Sequence, residues 1–307
     1  MNFQERTREY LDYCKYRKEL DANTLKAYRI DLCQYFDHIQ SDNPGKHEIE
    51  QYITTLHKKY KQKTIKRKIA SIKAFYAFLE DEELLLENPF RRIKVKFKET
   101  SILPRIIPKG EIERLLNYMY AESKQYEKNK CNSTRCLRDT AIIEMLFATG
   151  ARVYEISNIQ SDCIDLDSGL IRIMGKGGKE RYVQIVEDSI LTLLRNYYNS
   201  SKNSITKSGY FFVNQRGNRF SEQSIRNMIK KYTRLAGISR TITPHMFRHS
   251  FATYLIENGL DVSCVQQILG HSSIKTTQIY IHIATKKQTE LLKTLHPRNQ
   301  MQITGAA

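Results

Sequence analysis

Apolar side chains recur at every third or fourth position through most of residues 1 to 97, with polar side chains between them. After Asn23, for example, Leu25, Tyr28, Leu32 and Ile39 keep this spacing, which places them on one face of an α-helix. The pattern predicts four helices, which run over about 3–18, from Asn23 as N-cap to about 39, around 49–56 and around 65–79. Asn88-Pro89 then breaks the pattern, so residues 1–97 are predicted to form a small four-helix bundle.

The pattern changes after this bundle. Pro104 and Pro108 interrupt a helix, and Lys94, Lys96 and Lys98 alternate with other residues, so 98–108 is predicted to be an extended basic linker. Helical spacing returns beyond residue 109 in segments near 110–120, 137–148, 188–199, 221–236, 244–258, 261–270 and 274–280, with a tail helix near 285–295. The polar stretch 121–135 lacks this spacing and is predicted to be a long connection.

Three short segments are typical of β-strands, at 163–166, 170–174 and 181–185. The last two flank residues 175–179, where three glycines surround Lys176 and favour a tight turn, so they are predicted to form a hairpin. The fold class predicted for the chain is therefore mainly α with a small antiparallel β-sheet.

The charge of the chain indicates a partner. A net charge of +17 and a pI near 9.5 favour a polyanion, and we predict nucleic acid. No apolar run approaches the roughly 20 residues that span a bilayer, and the first six residues lack the apolar stretch of a signal peptide. We expect a cytoplasmic protein with no membrane partner.

Metal-ligating residues do not occur at the spacing of a known metal site. The only close cysteine pair is Cys131 and Cys136, and a zinc site would need two further ligands near it. His245 and His249 are four apart, but Met246 stands where the metalloprotease motif has glutamate. No metal or other cofactor is expected.

The positive charge is concentrated around the fourth predicted helix. Eight basic residues occur there with no acid among them: Lys58, Lys59, Lys61, Lys63, Lys66, Arg67, Lys68 and Lys73. A solvated helix face ordinarily mixes both signs to gain i,i+4 pairs, whereas a face of one sign repels itself unless an anion neutralises it. We predict that these eight residues bind phosphates; the alternative is an ordinary solvated face.

Five short motifs follow one another along the chain. They are Ala148-Thr149-Gly150-Ala151-Arg152 with Glu155, the run from Gly175 to Arg181, the run from Thr243 to Thr253, Leu269-Gly270-His271-Ser272-Ser273, and Thr276-Thr277-Gln278-Ile279-Tyr280. In this order they resemble the first arginine motif, the lysine hairpin, the His-x-x-Arg motif, the second histidine motif and the nucleophile motif of tyrosine recombinases. Residues 23–32 are similar to the family's DNA-clamping domain. The resemblance covers nearly the whole chain and is closest to the Xer branch of the family.

The resemblance implies a role for six residues. Tyr280 is the nucleophile that attacks a DNA phosphate and forms a 3′-phosphotyrosyl link, and Lys176 is the general acid for the leaving 5′-oxygen. Arg152 and Arg248 bind the phosphate oxygens, and His245 and His271 position the phosphate and assist proton movement. Each residue type suits its role, since arginine forks match phosphate, histidine titrates near neutral pH and a phenol can act as a covalent nucleophile.

Local chemistry leaves alternatives open at some positions. Arg152 could pair with Glu155 rather than with phosphate, and Arg248 could pair with an acid. Lys179 lies in the same turn as Lys176 and is the rival general acid. Thr243-Pro244 predicts a helix start that places His245 and Arg248 near a positive helix end, and His249 is given a structural role.

The resemblance also implies an architecture and an assembly. It divides the chain into a SAM-like, core-binding helical bundle (1–97), a linker (98–108) and an α+β catalytic domain (109–307), with an exchange helix at about 285–296 passed to a neighbouring protomer. The implied function is site-specific recombination of double-stranded DNA at inverted-repeat sites, with a dimer on each site and a tetramer in the synapse, formed by this chain alone or with a paralogous recombinase. A catalytically inactive DNA-binding protein and a monomeric type IB topoisomerase-like enzyme are the alternatives.

Overall fold

A computed structural model of the chain describes residues 3–39, 41, 44–85, 87–91, 93, 95, 97, 105–125, 130–175 and 180–270. The chain divides into two compact units, Met1–Thr100 and Ser101–Ala307, and this division falls within the segment predicted as a linker. In the part of the chain so described, no helix combines the length and the apolar character that crossing a bilayer requires.

The first unit contains four helices, α1 (Phe3–Tyr16), α2 (Ala22–His38), α3 (Lys46–Lys59) and α4 (Gln62–Asp81), as the apolar spacing predicts. Their apolar faces meet in one core, whose fully buried members include Leu32, Tyr35, Ile49, Ile72 and Phe75.

The N-cap prediction for the second helix was wrong. Asp21, not Asn23, caps α2, because its carboxylate accepts the backbone N–H groups of Asn23 and Thr24 at 3.0 Å each. An acceptor that stands before the first helical residue can satisfy these N–H groups, whereas Asn23 already lies inside the helix.

The second unit contains seven helices among its described residues. They are α5 (Lys109–Gln125), α6 (Lys130–Thr149), α7 (Val153–Ser157), α8 (Asp188–Ser208), α9 (Glu222–Leu235), α10 (Pro244–Glu257) and α11 (Val262–Leu269). The long connection predicted at 121–135 was wrong, because α5 extends to Gln125 and α6 begins at Lys130. The residues concerned include no glycine or proline, so both helices continue beyond their apolar stripes. The helices predicted at 274–280 and 285–295 lie outside the described residues.

The predicted hairpin strands are confirmed. β1 (Leu170–Met174) pairs antiparallel with β2 (Glu180–Gln184), with Ile171 opposite Val183 and Ile173 opposite Arg181. The strand predicted at 163–166 was wrong: a 3₁₀ helix occupies Ser161–Cys163, and only one bridge, from Ile164 to Ile171, joins this segment to the sheet. A turn follows directly after Ile164, because the Asp165 carboxylate accepts hydrogen bonds from the N–H groups of Asp167 and Ser168. The segment is therefore too short to form a strand.

Helix α6 runs through the core of the second unit. Ile142, Ile143, Met145 and Leu146 are all fully buried, and α5, α8 and α10 pack around the helix. Where α6 ends, at Thr149, the chain therefore turns inside the protein rather than at its surface. This buried turn leads directly to Arg152.

Candidate active site

The turn after α6 is fitted closely against two other helices. Gly150 has a left-handed backbone with φ of 59°, and a Cβ placed on it would lie 2.5 Å from a ring carbon of Phe251 in α10 and 2.7 Å from Leu269 in α11. Only glycine fits such a site without strain or displacement. Arg152 follows as the N-cap residue of α7, with 38% of its side chain exposed, so it is held by a rigid turn but remains accessible.

Arg248 connects this turn to the end of α11. Its side chain is almost fully buried, with Nη1 donating to the carbonyl oxygen of Gly150 and Nη2 to that of Leu269, both at 2.8 Å. Carbonyl oxygens orient a guanidinium but do not neutralise it. These two bonds therefore fix the orientation of the Arg248 guanidinium between the turn and the end of α11.

Glu155 accepts hydrogen bonds from two arginines and is 1% exposed. It receives the backbone N–H of Arg152 at 2.7 Å and Nη1 of Arg152 at 2.8 Å. Arg181, on β2, donates Nη1 to one carboxylate oxygen at 3.0 Å and Nη2 to the other at 2.6 Å. Burial alone would raise the pKa of the Glu155 carboxyl, but the bonds from Arg181 and Arg152 outweigh it and hold this pKa below its ordinary value.

His245 lies in the first turn of α10, which begins at Pro244 as predicted. Thr243 occupies the N-cap position, but its side chain makes no capping hydrogen bond. His245 is exposed and stands three residues before Arg248, at the helix end whose backbone N–H groups favour anions. His249 is half-buried, and burial, followed by the charges of His245 and Arg248, lowers its pKa.

The remaining three predicted catalytic residues, Lys176, His271 and Tyr280, lie outside the described residues. The structure describes the chain on either side of residues 176–179, which include Lys176, and the chain up to Gly270, which precedes His271. β1 and β2 hold both ends of the segment that contains Lys176. Gly270, with φ of 62°, ends α11 in a left-handed conformation, one residue before His271.

The predicted DNA-binding residues do not all lie on the surface. Lys58, Lys59, Lys61, Lys63, Lys66 and Arg67 are exposed at the end of α3 and the start of α4. Lys73 is half-buried and donates to the carbonyl oxygen of Ile93 at 3.3 Å. We define the six exposed residues as the basic face.

Lys68 is a correction to this prediction. It is only 2% exposed, and its Nζ lies 2.9 Å from the Asp31 carboxylate in α2. Asp31 is fully buried and also accepts hydrogen bonds from Arg67 and Ser71. The anion that neutralises Lys68 is thus inside the bundle, where a phosphate cannot reach, and the sequence alone does not bring together residues 37 positions apart.

Two family models match this chain. The model of the phage integrase family covers residues 105–287, and that of the phage integrase N-terminal SAM-like domain covers residues 7–83. The chain belongs to the phage integrase family. It is a tyrosine recombinase, an enzyme that cuts and rejoins DNA strands, as its motifs predicted.

Relatives of this recombinase match it over nearly their whole length. A tyrosine recombinase of Agathobacter rectalis is 45% identical over 300 residues, covering 97% of this chain and 98% of the relative. Tyrosine recombinase XerD of Oceanobacillus iheyensis is 33% identical over 302 residues, covering 94% and 97%. In a crystal structure of XerH site-specific recombinase bound to a palindromic difH substrate, the fold is shared with a TM-score of 0.73 at 21% identity, over 94% of this chain and 84% of that one.

One residue of the recombinase site was not singled out from the sequence. Arg181 lies at the end of the predicted lysine hairpin motif, where it was treated only as part of the motif. Arg181 stands two residues before Val183, so the alternation of β2 places it on the buried face of the strand, and this is the signal that could have singled it out. Its partner Glu155 is 26 positions away, so the ion pair itself is visible only in the fold.

Proposed function

We propose that this recombinase carries out site-specific strand exchange with Tyr280 as its nucleophile and with Arg152 and Arg248 as the pair that binds the scissile phosphate. The observation that supports this most directly is the position of Arg248. Its two hydrogen bonds join the turn that presents Arg152 to the residue before Gly270 and His271. Residues from three distant motifs therefore converge on one region.

The proposed chemistry assigns a role to each of the six residues that the family resemblance implies. The Tyr280 oxygen attacks the phosphorus, the bond from phosphorus to the 5′-oxygen breaks, and a 3′-phosphotyrosyl link forms while Lys176 gives a proton to the leaving oxygen. Negative charge builds on the non-bridging oxygens during the attack, and Arg152 and Arg248 stabilise it. His245 and His271 position the phosphate and assist the movement of the phenolic proton. A 5′-hydroxyl from a partner strand reverses the step and rejoins the DNA.

The assembly is part of the same proposal. Two chains bind the halves of an inverted-repeat site and four form the synapse, either as copies of this chain or with a paralogous recombinase. The palindromic substrate of the XerH structure supports a two-fold arrangement. A helix at about 285–296 passes between neighbouring protomers and couples their activities. A chromosomal or plasmid DNA substrate implies that this activity takes place in the cytoplasm.

Trapping of the covalent intermediate tests the proposal and identifies the target sequence in the same experiment. Fragmented genomic DNA of the source organism is incubated with the protein, the mixture is denatured, and DNA attached to protein is recovered and sequenced from its attached 3′ end. The wild-type protein is expected to give attachments at a defined sequence, whereas Tyr280→Phe, which loses only the phenol oxygen, gives none although it still binds the same DNA in a mobility shift.

Two results would overturn this assignment. An adduct formed by Tyr280→Phe would show that another residue is the nucleophile, and the absence of any adduct with the wild-type protein would favour an inactive DNA-binding protein. The mapped positions also decide the biological role. Attachments at a single chromosomal or plasmid locus indicate resolution of DNA dimers, and attachments at the ends of a mobile segment indicate its integration, excision or inversion.

A further inference from the structure

Arg181 is a charged residue on the buried face of the hairpin. It lies on β2, opposite buried Ile173, and its side chain is only 9% exposed. Both of its terminal nitrogens bond to Glu155, one to each carboxylate oxygen. This is the bidentate geometry in which an arginine holds a carboxylate most firmly.

The charges around Glu155 show what this bond does for Arg152. One carboxylate is shared by two guanidinium groups, so the three residues carry a net charge of +1. Without Arg181, the full negative charge of Glu155 would face Arg152, and a buried carboxylate beside an arginine would compete with a phosphate for it. With Arg181 present, Arg152 gives Glu155 only one side-chain N–H, at 2.8 Å.

Arg181 also joins three segments of the chain. It follows residues 176–179 on the second strand of the hairpin, and through Glu155 it is tied to the start of α7. Its Cδ would lie 3.0 Å from a Cβ placed on Gly270, so its side chain passes directly beside the residue before His271. The Arg181 side chain therefore connects the hairpin that contains Lys176 with the start of α7, next to Arg152, and with Gly270, next to His271.

We propose that Arg181 is a positioning residue for DNA cleavage: it neutralises Glu155, so that Arg152 keeps its charge for the scissile phosphate, and it fixes the hairpin to the Arg152 turn. This rests on the proposed function, in which Arg152 binds that phosphate. A buried ion pair that serves only stability is the competing explanation, and the two explanations differ in what happens when Glu155 is made neutral.

Single-turnover cleavage of a duplex that contains the mapped site distinguishes a positioning role of Arg181 from a role in stability alone. Arg181→Ala is expected to slow cleavage about a hundredfold, the size of effect that a small misplacement of a catalytic group produces, with DNA binding unchanged in a mobility shift. The double variant Glu155→Gln/Arg181→Ala removes the competing negative charge and is expected to recover at least about tenfold of that loss, since neutral glutamine holds Arg152 far less strongly.

The alternative outcomes are distinct. If the pair serves only stability, the double variant loses a second set of contacts and cleaves no faster than Arg181→Ala, and that result would overturn the proposal. Wild-type cleavage by Arg181→Ala would overturn it as well. If Arg181→Ala does not fold, as judged by circular dichroism, Arg181→Gln and its double variant carry the same comparison, because glutamine keeps a donor for Glu155 without the charge.

Two controls keep the interpretation specific. Arg172 lies on the neighbouring strand of the same hairpin, where it pairs with Asp162 at 3.3 Å and is 35% exposed, and Arg172→Ala is expected to cleave at the wild-type rate. The wild-type protein must form the covalent adduct in the same assay. Failure of that adduct would refute the proposed function, whereas failure of the rescue with a normal wild-type adduct refutes only the role of Arg181.

Discussion

Arg248 donates Nη1 to the carbonyl oxygen of Gly150 at 2.8 Å, although the two residues are 98 positions apart in the chain. The turn at Gly150 presents Arg152, and the same guanidinium holds Leu269 at the end of α11. The side chain proposed to bind phosphate is therefore also a structural link between three helices. Because the fold and the site share these bonds, changes at this turn are expected to reduce cleavage as well as stability.

Gly150→Ala tests this link. The left-handed backbone costs an alanine about 1 kcal/mol, and its Cβ, at 2.5 Å from Phe251, adds about 2 kcal/mol of overpacking. We expect the free energy of unfolding to fall by about 3 kcal/mol in urea, with cleavage reduced in the protein that remains folded. Gly237→Ala is the control, since Gly237 has φ of 66° but no atom within 4 Å of its Cβ position. Equal losses in the two variants would show that strain, not packing, governs the turn.

Two lysines of α4 are expected to act differently, because Lys63 belongs to the basic face and Lys68 is buried. Lys63 is exposed, so Lys63→Met is expected to change stability by no more than about 0.5 kcal/mol but to lower the salt dependence of DNA binding by about one phosphate contact. Lys68 is buried against Asp31, so Lys68→Met is expected to cost about 3 kcal/mol of stability and to leave the salt slope unchanged. Urea unfolding and mobility shifts at several salt concentrations measure both, and a lower slope for Lys68→Met alone would contradict this division.

Much of this architecture could be predicted from the sequence, because local patterns determine it. Apolar spacing located the four helices of the bundle, and the glycines around Lys176 located the hairpin strands. The resemblance of five ordered motifs identified the family, and the family models confirm it.

What the sequence could not show depends on contacts between distant residues. The charge run at 58–73 looked uniform, but Asp31 neutralises Lys68 from another helix. The polar residues of 121–135 suggested a loop. Polarity does not distinguish a loop from the exposed turns of a long helix, and helices α5 and α6 occupy most of this stretch. Arg181 and Arg248 are joined to partners 26 and 98 positions away, so no local pattern identifies those partners. The catalytic roles of all six residues remain predictions, and Lys176, His271 and Tyr280 lie outside the described residues.

The Glu155 network predicts how stability depends on pH. Its carboxyl has a pKa below the ordinary value of 4.5 in the folded protein, so the folded state binds this proton less readily than the unfolded state does. The stability that ionised Glu155 contributes is therefore complete above about pH 4.5 and is lost as the pH falls through the lowered pKa.

Glu155→Gln makes this effect measurable. The wild-type protein is expected to exceed the variant by about 3 kcal/mol at neutral pH, and the difference is expected to shrink below pH 4.5 in urea unfolding experiments. Glu222→Gln, which breaks a half-exposed pair with Arg226, is the control and is expected to differ from wild type by no more than about 0.5 kcal/mol at any pH. A wild-type advantage that grows in acid would contradict the lowered pKa.

The assignment of Lys176 as general acid predicts a dependence on the leaving group. Lys176→Ala is expected to slow cleavage of ordinary DNA by about 10²- to 10⁴-fold, but to slow cleavage only slightly when sulfur replaces the bridging 5′-oxygen, because a thiolate leaves without a proton. Lys179→Ala, in the same turn, is expected to affect both substrates little. If Lys176→Ala instead impairs the two substrates equally, and Lys179→Ala impairs ordinary DNA alone, Lys179 is the acid.

The end of the linker is attached to the helix that carries His245 and Arg248. The N–H of Ile107 donates to Ser250 Oγ at 2.8 Å, and the Tyr254 hydroxyl donates to the carbonyl oxygen of Ile107 at 2.5 Å. Ile107 is fully buried, and the two hydroxyls are one turn apart on the same face of α10. Both backbone groups of Ile107 are thus held by α10.

Removal of these hydroxyls is expected to affect stability and cleavage together. Ser250→Ala leaves the Ile107 N–H buried without its acceptor and is expected to cost about 2 kcal/mol, and Tyr254→Phe about 1 kcal/mol. Because both hold the same residue, the double variant is expected to lose less than the sum of the two, and all three are expected to cleave more slowly than wild type. Ser200→Ala, which removes only a hydroxyl bonded within α8, is the control and is expected to change neither. Strict additivity in urea unfolding, together with wild-type cleavage, would show that the linker end and α10 act independently.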